Sequence, residues 1–279
     1  MVRTLKSTAS LLLALAAAGT SPAAAEETNH LWPRFAIDAG AYQISTTDKI
    51  RVQGTVDVLG REIDLSEDIG LPDTETLLSA KLDWAFAERH SIEIGYWSLE
   101  RSGSRSIRRD IEIGDYVFPV GAEAELEFDT TTIGAAYTYW FLRRETLGVG
   151  GTFGLVYLGL DTRASASVEL GGQGGSVSRD ASASTDLPVP MIGLAVKGSP
   201  WHRLVLYGKA SILPSVTVGD YSGAAGVYSF GADFYVWGPL ALGASFDGSY
   251  YDADVENRDW NGSVDLASNG FRFYLRAAF

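Results

Sequence analysis

From Arg34 onward, apolar and polar positions alternate with period 2 in stretch after stretch. That is the pattern of strands whose two faces meet different surroundings. In residues 77–86, Leu78, Ala80, Leu82, Trp84 and Phe86 share one face, and Ser79, Lys81 and Asp83 share the other. Residues 91–99 set Ile92, Ile94 and Tyr96 against Glu93 and Gly95, and residues 130–141 put Ile133, Ala135, Tyr137, Tyr139 and Phe141 on one side. The same alternation marks 34–45, 147–160, 187–197, 203–213, 226–236, 240–251 and 269–279. The pattern predicts ten strands, with eight or twelve as the neighbouring even counts, and no long amphipathic helix.

The connections are unequal. Those around AERH, LRRET, GSPWH and WGP are three to five residues long, and they alternate with long polar segments at 46–76, 100–129, 161–186 and 252–267. Only 214–225 is of middling length. Short turns at one end and long loops at the other are the layout of a closed antiparallel transmembrane β-barrel; a soluble sandwich has no such side bias. Aromatics sort the same way. Trp32, Trp84, Trp140, Trp201 and Trp237 fall at the short-turn end, and Tyr42, Tyr157, Tyr228 and Tyr250 lie nearer the other, as expected of two interfacial girdles. ASASVEL and SVSRDASAS, flanking GGQGG, alternate like a hairpin rising above the membrane.

The N-terminus adds export. Arg3 and Lys6 precede the apolar run 11–18, and Ala23 and Ala25 follow as an A-x-A cleavage site. Residues 1–25 therefore read as a signal peptide and 26–279 as one barrel domain. The whole chain carries −13, and without the leader it carries about −15, a poor charge for a nucleic-acid partner. There are no cysteines, which excludes thiol nucleophiles and thiolate metal sites.

With these features together, the chain resembles the small outer-membrane β-barrel proteins of Gram-negative bacteria. The resemblance rests on the signal peptide, the short-turn and long-loop alternation, and the closing strand FRFYLRAAF. The stretches GREIDLSEDIGL and FPVGAEAELEFD are similar to loops of functionally uncharacterised members. The resemblance implies residence in the outer membrane, lipid and lipopolysaccharide as surroundings, and delivery by periplasmic chaperones to the barrel-assembly machinery. In that family the last strand is the assembly signal, which here falls on Phe271, Phe273, Tyr274, Leu275 and Phe279.

Candidate chemistry is sparse. Barrel proteases and lipid hydrolases need a histidine beside a carboxylate or serine at the outer rim. His30, His90 and His202 all fall at the short-turn end, and no metal-ligand spacing is present, so the reading is non-enzymatic, without cofactor or metal. Assigning the apolar faces to lipid leaves Asp38, Asp83, Glu93, Asp233 and Asp247 inside with Lys81, Lys197, Lys209, Arg272 and Arg276. Five acids and five bases in a narrow interior are expected to pair and close it, since unpaired buried charge is costly. A selective pore would show an excess of one sign; a narrow channel for small or amphipathic solutes is the alternative. Arg101, Arg105, Arg108 and Arg109 form a candidate contact for lipopolysaccharide phosphates, and the carboxylates of EIDLSED could gather divalent cations near headgroups.

Overall fold

A computed structural model describes residues 30–53, 62–66, 70–106, 111–113, 116–118, 123–170, 175–218, 221–256 and 261–279; the leader lies outside them. In chain order the strands are β1 (Phe35–Gln53), β2 (Glu62–Asp64), β3 (Thr74–Ala87), β4 (His90–Ser106), β5 (Ile111–Ile113), β6 (Tyr116–Phe118) and β7 (Glu123–Arg143). They continue as β8 (Leu147–Leu170), β9 (Gly175–Trp201), β10 (Leu204–Val218), β11 (Tyr221–Trp237), β12 (Leu240–Glu256) and β13 (Asn261–Ala278). All but the three-residue strands β2, β5 and β6 form one antiparallel ring, each pairing with the next long strand and β13 closing onto β1. The result is a ten-stranded closed barrel.

Its wall obeys the alternation. On β13, Phe271, Phe273 and Leu275 are exposed, whereas Arg272 and Tyr274 are buried inside. Leu78, Phe153, Leu194, Leu206, Phe230 and Leu242 extend the exposed apolar belt around the ring. So wide an apolar surface is the band that lipid covers in barrels of this kind. Among the described residues no helix is long and apolar enough to cross a membrane.

Most of the expected loops are strand. β8 has 24 residues and β9 has 27, against about ten needed to cross a bilayer, and their ladder is unbroken from Leu147↔Gly198 to Leu170↔Gly175. The 161–186 segment is rich in serine and alanine and carries no apolar face, so it shows no hydrophobic period although its backbone is paired. Segments 214–225 and 252–267 are likewise mostly hairpin. Long connections remain only between β1 and β3 and between β4 and β7.

The interior is filled in layers. At the outer end, Leu65 and Leu71 from the β1–β3 connection pack against the inward-facing Leu126, Phe128, Leu158, Leu160 and Leu266. Below them, Tyr42, Ile44, Leu77 and Leu99 form a second apolar group. At the short-turn end, Leu31 is fully buried among Ala36, Val205, Tyr235, Ala241 and Ala278, so the segment before β1 folds into that mouth.

Candidate functional site in the barrel lumen

Between the apolar groups at the two ends lies a polar layer whose members come from β1, β3, β4, β9, β10, β11, β12 and β13. Strand register brings the first of them together: Asp38 on β1 sits opposite Arg276 on β13 and opposite Lys81 on β3. Arg276 is the hub. Its Nη1 donates to Asp38 at 3.0 Å and its Nη2 to Asp83 at 2.6 Å, and its Nε lies 3.5 Å from Asp233. Arg272 donates to Asp38 at 2.5 Å, and both side chains are 2% exposed. Arg272 Nε also lies 3.6 Å from Asp247, which accepts a hydrogen bond from Ser245 at 2.7 Å and has Lys81 at 3.6 Å. Lys209 donates to Glu93 at 2.8 Å. Asp83 and Glu93 face each other across β3 and β4, and that like-charge pairing is relieved because each carboxylate has its own cation.

Lys197 is arranged differently. Its Nζ lies 4.0 Å from the Trp32 ring centre and 4.6 Å from that of Trp140, and the Arg143 guanidinium sits 4.5 Å over the other part of this cluster, Trp32. Equal numbers of acids and bases did not translate into five pairs, because Arg276 engages three carboxylates and leaves Lys197 to aromatic faces. Trp32 and Trp140 are accordingly not girdle residues. They point inward, tied by Trp32 Nε1 donating to the Arg144 carbonyl at 2.8 Å and Trp140 Nε1 donating to Ser91 Oγ at 3.0 Å. Tyr42 also turns into the lumen, whereas Trp84, Trp201, Trp237, Tyr157 and Tyr250 are exposed at the rims.

Tyr274 belongs to the lumen network as well. Its hydroxyl donates to Asp233 at 2.5 Å and lies 2.9 Å from the Tyr207 hydroxyl. The sequence signal for it was present, since the alternation that turns Arg272 and Arg276 inward also turns Tyr274 inward. Gly243 on β12, directly opposite both Asp233 and Tyr274, makes the room: an added Cβ would lie 2.1 Å from the Tyr274 ring. Gly243→Ala is therefore expected to push Tyr274 off Asp233 and lower the urea midpoint of the barrel in vesicles by an amount equal to about 1–3 kcal/mol. An unchanged midpoint would show that the ring is free to move.

Arg101 is corrected by the geometry. Its guanidinium is turned into the barrel, ion-paired with Asp48, hydrogen-bonded to Thr46 at 2.6 Å and stacked over Phe128, so it offers nothing to a phosphate outside. The cause is that β4 continues to Ser106, so Arg101 keeps the inward phase of Leu99. Arg105 lies on β4 opposite Ala124, and Arg108 and Arg109 lie outside the described residues. Of the acidic stretch, Glu62–Asp64 pairs with β1, Leu65 is buried, and Glu67 and Asp68 lie outside the described residues. Outward residues just above the belt are acidic: Glu100, Asp129 and Asp161 occupy one cross-strand row, with Arg163 lying 3.9 Å from Asp129.

The histidines sit at the short-turn end. His30 stacks on Tyr235 at 3.8 Å, and burial, with His202 and Arg203 nearby, holds its imidazole below the usual pKa. His90 Nδ1 lies 2.6 Å from the Tyr137 hydroxyl, and His202 is exposed. Among the described residues, no hydrogen bond joins any of the three to a serine or a carboxylate.

No protein-family model matches the chain, and no curated protein matches it by sequence. Among solved structures, the outer membrane protease OmpT from Escherichia coli aligns with 88% of this chain and 96% of its own, at 13% identity and a TM-score of 0.57. The toluene transporter TodX of Pseudomonas putida aligns with 89% and 91% at 9% identity and a TM-score of 0.34. Ail, the attachment invasion locus protein of Yersinia pestis, aligns with 86% and 97% at 10% identity and a TM-score of 0.30. The fold is that of the outer-membrane β-barrels. At 13% identity the OmpT match speaks for the barrel and carries none of that protein's chemistry.

Proposed function

We propose that the protein is a non-enzymatic β-barrel of the outer membrane with a structural or surface-interaction role, its lumen closed along the barrel axis. The observation that carries this reading is the stack of three blocks across the lumen: the Leu65 and Leu71 group, the Arg272 and Arg276 ion-pair layer, and the Leu31 group. The three histidines lie at the short-turn end, away from the outer rim where barrel hydrolases would need one beside a nucleophile, and this placement supports the non-enzymatic reading. The apolar belt supports membrane residence. The leader 1–25 would export the chain, and the exposed Phe271, Phe273, Leu275 and Phe279 would present the assembly signal to the barrel-assembly machinery after chaperone escort. The extended β8–β9 hairpin rises about 30 Å past the belt, by a rise of about 3.3 Å per residue and a tilt near 45°, and would be the surface displayed outside. Lipopolysaccharide contact would fall to Arg105, Arg108 and Arg109, with Arg101 withdrawn from that role.

The second reading is a narrow channel for small or amphipathic solutes. It is favoured by two cavities on the axis, of about 180 Å³ and about 390 Å³, on either side of the ion-pair layer. Swelling of proteoliposomes in isotonic sugars and amino acids separates the readings. The closed reading predicts swelling no faster than in protein-free vesicles, and rapid swelling would establish the channel.

A further inference from the structure

The ladder between β9 and β10 stops early. It runs from Leu204↔Trp201 to Ile212↔Ile192, although both strands continue beyond that level. There, residues 187–191 pair with β8 alone, Leu213 and residues 216–218 pair with β11 alone, and Pro214 and Ser215 fall in a register shift between them. Among the described residues no ladder pairing joins these two stretches.

Three prolines account for the gap. Pro188 and Pro190 lie on β9 and Pro214 on β10, and proline has no N–H to give to a ladder. Alternate residues of a strand present their backbone groups to opposite neighbours, so parity shows which way each proline faces. Ser199 donates its N–H to the Thr146 carbonyl, on the β8 side. Odd positions of β9 therefore serve β8, and Pro188 and Pro190 face β10. Tyr235 donates to the Arg203 carbonyl, so odd positions of β10 serve β11 as far as Leu213. Pro214, the next residue, lies in the register shift between Leu213 and Val216, unpaired with β11. Prolines line one seam from both sides.

The seam sits where it can matter. Exposed Ile192, Leu194 and Ile212 flank its lower end, and Pro188 pairs with Tyr157 of the outer rim, so it opens in the outer edge of the lipid belt. Behind it, Met191, Val156 and Val227 line the cavity of about 180 Å³, and Leu187 packs on the Leu65 and Leu71 group. The hydrogen bond between the Thr152 and Ser211 hydroxyls, at 3.1 Å, marks the level at which the wall becomes continuous. Lys81, Glu93, Lys209, Asp247 and Arg272 line the same cavity, so it has an apolar seam side and a charged side. Its volume has room for a ring or a short run of chain, since about 150 Å³ is enough for benzene. The β3–β4 ladder also stops short, at Ser79↔Trp97, but there Gly70 and Leu71 lie against Gly103 of β4.

We propose that the β9–β10 seam is a lateral portal through which the hydrocarbon part of a lipid-soluble molecule passes from the outer leaflet into the lumen cavity. The axis stays closed and the side is open. The proposal rests on membrane residence as argued above, and insertion into vesicles is scored separately before the portal is tested. The chain has no cysteine, so single cysteines report cleanly. Met191→Cys, lumen-facing beside the seam, and Ala136→Cys, lumen-facing in the same cross-strand row but two strands away on β7, are compared in phosphatidylcholine vesicles. The portal predicts that N-dodecylmaleimide modifies Met191→Cys at least about tenfold faster than Ala136→Cys, while a sulfonated water-soluble maleimide labels neither quickly. Adding Pro188→Val, Pro190→Val and Pro214→Val restores the N–H donors and is expected to slow labelling of Met191→Cys about tenfold. Equal alkyl labelling at both sites, or fast labelling by the sulfonated reagent alone, would overturn the portal; both are readable without the proline variant. A photoreactive fatty acid and a phospholipid bearing the same chain separate the sources. Crosslinking near Met191 by the free acid alone assigns a dissolved solute, crosslinking by the phospholipid assigns a membrane lipid, and crosslinking by neither contradicts the proposal.

Discussion

Replacing Arg276 with alanine is expected to lower the stability of the folded barrel by about 3–5 kcal/mol, the cost of breaking a buried ion pair by removing one partner. Arg276 stands between Asp38, Asp83 and Asp233, with Asp38 and Asp233 almost wholly buried. Without it Asp38 keeps Arg272 and Asp233 keeps the Tyr274 hydroxyl, but Asp83 loses its ion-pair partner next to Glu93. The cost therefore falls mainly on Asp83. The combined variant Arg276→Ala with Asp83→Asn should recover a large part of the loss, because it removes the carboxylate that was stranded. Urea unfolding in vesicles reads both. A single variant within about 1 kcal/mol of the native barrel would mean that water in the lumen, and not Arg276, solvates these carboxylates.

The second large effect is on the outer face. Leu206 is 46% exposed and lies inside the belt, two residues beyond the Leu204↔Trp201 pair at the short-turn rim, so the cost of a charge there falls between the interfacial and the midplane values. Leu206→Arg places a charge in hydrocarbon, and arginine at the midplane of a barrel costs about 2–4 kcal/mol, falling to about 0–1 near the interfaces. Ser184→Arg, also outward but above the belt beside Asp161, is the matched control and is expected to fold normally. Equal folding yields for the two variants in lipid would refute the facing of β10.

Which features were legible in the sequence follows from where a residue's surroundings change across the strand. Phe273 and Arg272 are adjacent yet meet lipid and lumen, so period 2 places both, and it places Tyr274 and the lumen acids with them. The same rule is silent for residues 161–186, where serine and alanine alternate with no apolar face, so a long hairpin reads as loop. That misreading propagates: with residues 100–129 taken as loop, the phase of β4 is lost and Arg101 is turned outward instead of onto Asp48. Composition counts charges but not geometry. Arg276 can fork toward three carboxylates while Lys197 rests between Trp32 and Trp140, and nothing in the spacing of those four residues along the chain announces it. The prolines at 188, 190 and 214 are visible in the sequence, but that they lie along one seam becomes clear only from the register of three neighbouring strands.

The lumen is proposed to be closed along its axis by the two apolar groups and the ion-pair layer between them. Single-channel recording of the purified barrel in planar lipid bilayers reads that closure. A flat baseline is expected for the native barrel across ±100 mV, and for Arg276→Ala as well while the Leu65 and Leu71 group and the Leu31 group stay in place. Discrete, reproducible openings of the native barrel would contradict the closure.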